Sequence, residues 1–310
     1  MMPLVGLGTW KIPKDIAAQT VYNAIKAGYR LLDCACDYGN EKEVGEGLKQ
    51  AIQEGIVKRE DVWITSKLWN TFHAKEHVRP ACERTLRDLG VEYLDLYLIH
   101  FPIALKFVDF SKKYPPEWSN PDTNGCVFVD VPTSETWSGM EELVQAGLVK
   151  NIGVSNFNNQ HIMDLMKYAN IKPAALQVEL HPYLQQPQLV EYCQRPSVNI
   201  AVTAYSSFGG VSYIPLGSPL AKETTNLLEH PTVLDIAKKH NKTTAQVLLR
   251  WAVQNGVAVI PKSNSLERLK ENISVFDFKL DSDDIANLQK LNTAIRFNDP
   301  AAYVNYPIFG

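Results

Sequence analysis

The stretch GYRLLDCACDYGNEKEVGEGLK, residues 28–49, decides how the rest of the chain is read. It opens on a short apolar run, 29–32, of the kind that a sheet or barrel core buries, and Asp33 closes that run. Farther on, Tyr38 stands on a Tyr-Gly-Asn turn. A helix is expected next, with Asn40 as its N-cap and with Glu41 and Glu43 in the first turn, where the helix dipole favours acids. Asp33 then lies at the carboxyl end of a strand and Tyr38 in the loop after it. In a β/α barrel the active site lies at that end of the strands. Taken alone, Asp33 reads as a cap or loop acid and Tyr38 as an ordinary turn tyrosine, so the decision rests with residues farther along the chain.

Outward from this stretch, strand-like and helix-like segments alternate. Residues 4–9 are short and apolar, and 16–27 carry apolar residues at helical spacing. DVWITSKL at 61–68 reads as a strand, 74–89 as a helix, and YLDLYLIH at 93–100 as a strand again. An insertion at 101–132, rich in proline, aromatic and polar residues, precedes a helix over 134–146. Further strands are expected at 149–154, 175–180, 200–205 and 257–260, with helices near 158–169, 186–194 and 232–254. No composition break marks a linker, so one domain over 1–310 is expected. Short apolar strands alternating with helices predict an α/β fold with a parallel sheet, and eight such strands predict closure into a (β/α)8 TIM barrel. A doubly wound open sheet competes, but no G-x-G-x-x-G opens a helix after the first strand. Gly6-Leu7-Gly8 lacks the third glycine and reads as a turn.

The formal charge of −3 offers no field for nucleic acid or an anionic membrane. No apolar run is long enough to span a bilayer, and Met1-Met2-Pro3 does not read as a signal peptide. Cys34, Cys36, Cys82, Cys126 and Cys193 form no C-x-x-C pair and are odd in number, which predicts free thiols in a reducing cytoplasm. No His, Asp or Glu set has metal-ligand spacing, so no metal is expected, and a metal-dependent barrel aldolase or isomerase fits poorly.

The chemistry emerges when strand ends are aligned. Asp33 ends the second strand, Lys67 the third and His100 the fourth, with Tyr38 in the loop after the second. Alone, Lys67 reads as a surface or capping lysine and His100 as a satisfied core histidine; together, the four residues converge on one site. A phenol ordinarily titrates at about 10. A cationic lysine beside it is expected to favour the phenolate, and an aspartate to hold that lysine charged and in place. Tyr38 then becomes a proton donor for general acid catalysis, while His100 orients the same substrate oxygen. That set suits reduction of a carbonyl. Side chains supply no hydride, so a nicotinamide cofactor is implied.

With these residues in hand, the chain resembles the aldo-keto reductases, and among them the fungal xylose-reducing members. The resemblance runs from Pro3 to Pro300 and rests on GYRLLDCACDYGNEKEVGEG, TSKLWN, LYLIHFPIALKFV, KYPPEW, GVSNF, HPYLQQP, AYSSFG, VLLRWA and IPKSN. It implies a (β/α)8 barrel that binds NAD(P)H without a Rossmann motif, with a catalytic tetrad falling on Asp33, Tyr38, Lys67 and His100. By the same resemblance, Ser155, Asn156 and Gln177 would hold the nicotinamide carboxamide and Tyr205 would stack on the ring. Ser206, Ser207, Phe208 and Gly209 would begin the loop over the pyrophosphate. Lys262, Ser263, Asn264 and Arg268 would hold the adenosine 2'-phosphate, with Glu271 and Asn272 near the adenine. A phosphate there would also meet a helix N-terminus.

Trp10, Trp69 and Phe101 are expected to wall the substrate pocket, with Trp118 and Phe128 closing it and Asn298 meeting sugar hydroxyls. Against that resemblance three departures are expected: a missing N-terminal hairpin, Leu180 before His181-Pro182 where relatives often have a second histidine, and Pro215 where some members use a glutamate for the adenosine ribose. The segment 209–220 is the least typical. The expectation is a cytoplasmic monomer or homodimer that uses NADPH, and NADH more weakly, to reduce the aldehyde of a pentose such as D-xylose. L-Arabinose, D-galacturonate and short aldoses are alternative substrates for a sugar or aldehyde reductase. A catalytically idle, cofactor-binding barrel is the alternative of another class.

Overall fold

The apolar runs become strands and the amphipathic segments become the helices that cover them. The computed structural model describes residues 1–309. In chain order, β1 (Leu7–Gly8), α1 (Lys14–Lys26), β2 (Leu31–Asp33), α2 (Glu41–Gln53), β3 (Trp63–Leu68), α3 (Lys75–Leu89) and β4 (Leu96–Ile99) form the first half. After the insertion come α4 (Thr133–Gln145), β5 (Ile152–Ser155), α5 (Asn159–Tyr168), β6 (Ala175–Glu179), α6 (Pro187–Gln194) and β7 (Ala201–Tyr205). The chain ends with α7 (Pro219–Glu223), α8 (Pro231–His240), α9 (Thr244–Gln254), β8 (Ala258–Val259), α10 (Leu266–Ile273), α11 (Ser282–Gln289) and α12 (Pro300–Val304).

The eight strands pair in sequence order and in parallel throughout. Closure comes from the segment ahead of β1: Val5 bridges Val259, and Gly6 N donates to Val259 O at 2.8 Å. The expected (β/α)8 barrel is the fold. Successive side chains of a strand face opposite ways, so Lys67 of β3 enters the barrel while Ser66 meets Glu41 of α2 outside it. This alternation carries Asp33, Lys67 and Gln177 to one end of the interior.

Three local readings are corrected. Gly6-Leu7-Gly8 is not a turn: Leu7–Gly8 is a strand paired with β2. A Cβ on Gly8 would lie 2.5 Å from the Ile260 carbonyl oxygen, so the glycine is there for close backbone approach at the closing seam. The single helix expected over 232–254 is two. Asn241, at φ 51°, ends α8 in the left-handed region, and Thr243 restarts the chain with a capping box to Gln246. Asn40 does stand before α2, but its side chain does not cap the helix. Its amide donates to the Thr9 and Ile12 carbonyls, at 2.9 and 3.0 Å, and fastens the Tyr38 turn to the loop after β1. The cysteines are all free. Among the described residues no helix is long and apolar enough to cross a membrane.

Candidate active site

Lys67, fully buried, is the hub of the site. Its three ammonium protons are all used: Nζ donates to Asp33 Oδ1 at 2.6 Å, to the Cys34 carbonyl at 2.8 Å and to the Tyr38 hydroxyl at 3.2 Å. The second oxygen of Asp33 accepts from Gln177 Nε2 at 2.6 Å. A buried ion pair repays its desolvation only when its remaining hydrogen-bonding capacity is met, and here it is.

Tyr38 is half-buried by accessible area, but its hydroxyl end is surrounded by protein. That burial pushes the phenol well above its ordinary range, and the charges of Asp33 and Asp37 push the same way. The expectation that Lys67 would draw the phenol downward is therefore corrected. Desolvation in a low-dielectric pocket, joined by two acids, outweighs one cation at 3.2 Å. The phenol keeps its proton, which is the form a donor needs.

His100 comes directly after β4 and presents its ring edge to Tyr38, with centroids 6.0 Å apart, and to Trp69, at 5.3 Å. Its Nδ1 lies 3.2 Å from Asp37 Oδ1, within ion-pair range but not aligned as a hydrogen bond. Sequence reasoning missed Asp37, whose one signal was its place beside Tyr38 on the same turn. The four expected residues do converge, with His100 joined by ring contact and by Asp37 rather than through Lys67.

The residues expected around the nicotinamide are wired into this group. Asn156, at φ 62°, donates from Nδ2 to the His100 carbonyl at 2.8 Å and accepts the Tyr205 hydroxyl on Oδ1 at 2.6 Å. Ser155 Oγ donates to the Gln177 carbonyl at 2.9 Å. After β7, Ser206 pairs its hydroxyl with that of Tyr213 at 2.9 Å, and Ser207 Oγ is buried without a partner. Phe208 and Gly209 lead into a short 3-10 turn, Gly209–Ser212.

At the start of α10, Ser263 is buried while Lys262, Asn264 and Arg268 are exposed. Burial, and then the nearby Arg268 charge, pull the Lys262 ammonium down; burial and Lys262 do the same to Lys11. Among the described residues no carboxylate pairs with any of these three cations. Lys11, which sequence reasoning also missed, donates to the Ser212 carbonyl and so ties the β1 loop to the loop after β7. Glu271 and Asn272 lie farther along α10, Asn272 buried and Glu271 half-exposed.

The aromatic walls divide. Trp69, Phe101 and Trp118 pack edge to face, with Trp118 5.1 Å from each of the others, and Tyr303 of α12 joins Trp118 at 5.4 Å. Trp10 faces Tyr213 across 5.7 Å. Phe128 instead stacks on Tyr306 at 4.6 Å, and both rings are exposed. Asn298 has its side chain engaged at both ends: Nδ2 donates to Tyr205 OH at 3.1 Å and Oδ1 accepts from Tyr303 OH at 3.0 Å. Among the described residues no group of three His, Cys, Asp or Glu side chains could hold a metal ion.

The strand ends thus carry the polar machinery of a barrel oxidoreductase. The chain belongs to the aldo/keto reductase family, whose family model matches residues 4–293. It is 56% identical over 308 residues to the NAD(P)H-dependent D-xylose reductase I,II of Candida tropicalis, covering 99% of this chain and 94% of that one. It is 54% identical over 309 residues to the NAD(P)H-dependent D-xylose reductase of Candida tenuis, covering 100% and 95%. Among solved structures, the aldose reductase of Schistosoma japonicum superposes with a TM-score of 0.86 at 42% identity, covering 98% of this chain and 93% of that one. A Bombyx mori aldo-keto reductase in complex with NADP gives a TM-score of 0.85 at 38% identity, covering 99% and 94%.

Proposed function

We propose that this enzyme reduces the open-chain aldehyde of D-xylose to the alditol, with hydride from NADPH and a proton from Tyr38. The observation that carries the reading is the Lys67 ammonium, held between Asp33 at 2.6 Å and the Tyr38 hydroxyl at 3.2 Å beside His100. The names of the close relatives, D-xylose reductases that use NAD(P)H, support the substrate and the cofactor.

The residues present suit a phosphorylated dinucleotide. Lys11, Lys262 and Arg268 form a cluster whose first two members are depressed by burial and then by neighbouring positive charge, the second of which a polyanion relieves. The unpartnered Ser207 hydroxyl offers one more polar contact. When bound, the nicotinamide supplies the hydride. Ser155, Asn156 and Gln177 would hold its carboxamide, Tyr205 its ring face, Ser206 to Gly209 the pyrophosphate, and Lys262 to Asn264 with Arg268 the 2'-phosphate. Glu271 and Asn272 would border the adenine.

In the chemical step Tyr38 donates its proton to the carbonyl oxygen. Lys67 meets the phenolate left behind, Asp33 keeps Lys67 in place, and His100 orients the oxygen. Trp10, Trp69 and Phe101 exclude water from the aldehyde, and the Asn298 amide exchanges a tyrosine hydroxyl for one on the sugar. The enzyme would work in the cytoplasm as a monomer or homodimer; the free cysteines suit a reducing compartment.

The test is NADPH consumption against a panel of aldoses, uronic acids and hydroxyl-free aldehydes. Xylose should stand among the best substrates. Turnover confined to uronic acids would reassign the substrate, and NADPH binding with no turnover of any aldehyde would make the barrel idle.

A further inference from the structure

The carboxyl end of β6 holds a carboxylate that the chemistry above does not use. Glu179 and His181 are both fully buried at their side chains. Two backbone N–H groups converge on Glu179, Phe297 N donating to Oε1 at 2.9 Å and Asn298 N to Oε2 at 2.8 Å, and His181 Nε2 lies 2.9 Å from Oε1. Among the described residues no lysine or arginine pairs with it. The Glu179 carbonyl accepts from Gln186 Nε2 at 2.7 Å, and Gln186 Oε1 takes Arg296 Nη2 at 3.3 Å. The segment between α11 and α12 has no helix or strand of its own, and Glu179 is what receives the backbone N–H groups of its residues 297 and 298.

From there a chain of contacts reaches the catalytic end of the barrel. Asn298 Nδ2 donates to Tyr205 OH, Tyr205 OH donates to Asn156 Oδ1, and Asn156 Nδ2 donates to the His100 carbonyl. Each oxygen of the Glu179 side chain receives a backbone N–H, so the position demands a group with an acceptor at both ends of its fork. A buried carboxylate is costly to desolvate, and these N–H groups offset the cost only while the geometry is kept.

We propose that Glu179 is a positioning residue for substrate preference: by gripping the backbone of Phe297 and Asn298, it holds the Asn298 side-chain carboxamide against Tyr205 where a sugar hydroxyl is met. The inference rests on the reading of Asn298 as the sugar contact. Glu179 itself touches neither cofactor nor aldehyde. It acts through the loop.

Glu179→Gln tests it, because a carboxamide turns an N–H toward at least one of the N–H donors. The ratio of kcat/KM for xylose to that for butanal should fall by about tenfold, through KM for xylose, the scale of a lost buried hydrogen bond. Hydrogen exchange at the amides of 297 and 298 should quicken. In an Asn298→Ala background Glu179→Gln should remove no further xylose preference, since residues acting as one unit are non-additive. Equal losses for xylose and butanal, or additive losses in the double variant, would overturn the proposal. Glu179→Asp, which keeps the charge and draws the oxygens back, should show the same selective loss and serves if the glutamine variant does not fold. An unselective Asn298→Ala would sink the reading of Asn298 itself. A selective Asn298→Ala beside an unselective Glu179→Gln sinks the positioning role alone.

Discussion

At Tyr38 the proposed role makes two demands: the hydroxyl must stay protonated until the aldehyde arrives, and it must then release the proton readily. Burial and two neighbouring acids serve the first, and the Lys67 ammonium serves the second by stabilising the phenolate once it forms. Tyr38→Phe should therefore keep NADPH binding and lose carbonyl reduction by about 10²–10⁴-fold, the usual worth of a positioned acid. Wild-type turnover in that variant would remove Tyr38 from the mechanism. Because its phenol is raised, the donor form persists across neutral pH, and activity should decline only on the alkaline side. Lys67→Met has a second consequence. It leaves the Asp33 carboxylate buried with Gln177 as its remaining side-chain partner, so chemical denaturation should show a loss of about 3–5 kcal/mol. A variant of undiminished stability would mean that Asp33 is not ionised against Lys67.

At the scale of elements, α2 carries the burden of placing Tyr38. Glu41, in its first turn, accepts hydrogen bonds from Ser66 of β3 at 2.6 Å and Thr85 of α3 at 3.2 Å, clamping the helix beside the strand that bears Lys67. Burial, reinforced by Asp88 and Asp37 and only partly opposed by those hydroxyls, pushes its carboxyl up to about 8. An unfolded glutamate ionises at about 4.3, so the folded state holds the extra proton between that value and about 8. Its contribution to stability is complete at acidic pH and is lost as pH rises to about 8. Glu41→Gln, which mimics the protonated form, should flatten the decline of Tm over that window; an unchanged decline would assign the effect to other groups.

The same helix shows packing overruling propensity. A Cβ on Gly47 would lie 2.3 Å from the Ala18 carbonyl oxygen of α1, and one on Gly45 equally close to that of Leu89. Gly47→Ala should lower Tm although alanine is the better helix former by about 0.8–1 kcal/mol; a rise in Tm would show that α1 can move aside. The strands were legible because apolar runs are local. The break at Asn241 is also written locally, in the polar run at 238–244 that interrupts the apolar period and in the left-handed cap and capping box there.

At the scale of the whole molecule, the proposed dinucleotide site draws on the loops after β1 and β7 and on the start of α10. Lys262 and Arg268 stand without acidic partners at the start of α10, where a phosphate also meets backbone N–H groups. Pro215, exposed in the short turn Ile214–Leu216, has no side-chain acceptor for free ribose hydroxyls. NADPH should therefore be preferred over NADH by at least about tenfold in kcat/KM, since charge-assisted hydrogen bonds to the 2'-phosphate are forgone with NADH. Arg268→Ala should erase much of that preference by weakening NADPH while leaving NADH nearly unchanged. Equal kcat/KM for the two cofactors in the wild type would show that another residue of the 209–220 loop supplies the acceptor.

The sequence by itself determined the barrel and the company of Asp33, Tyr38, Lys67 and His100. Strand period and the alternation of elements are local properties, and in a barrel they place successive strand ends side by side. Only the tertiary structure decided what those neighbours do to one another. The direction of the Tyr38 shift, the approach of Asp37 to His100, the engagement of Asn298 by two tyrosines and the grip of Glu179 on a loop over a hundred residues away all depend on burial and orientation. Those quantities are sums over groups far apart in the chain, and no local window of sequence contains them.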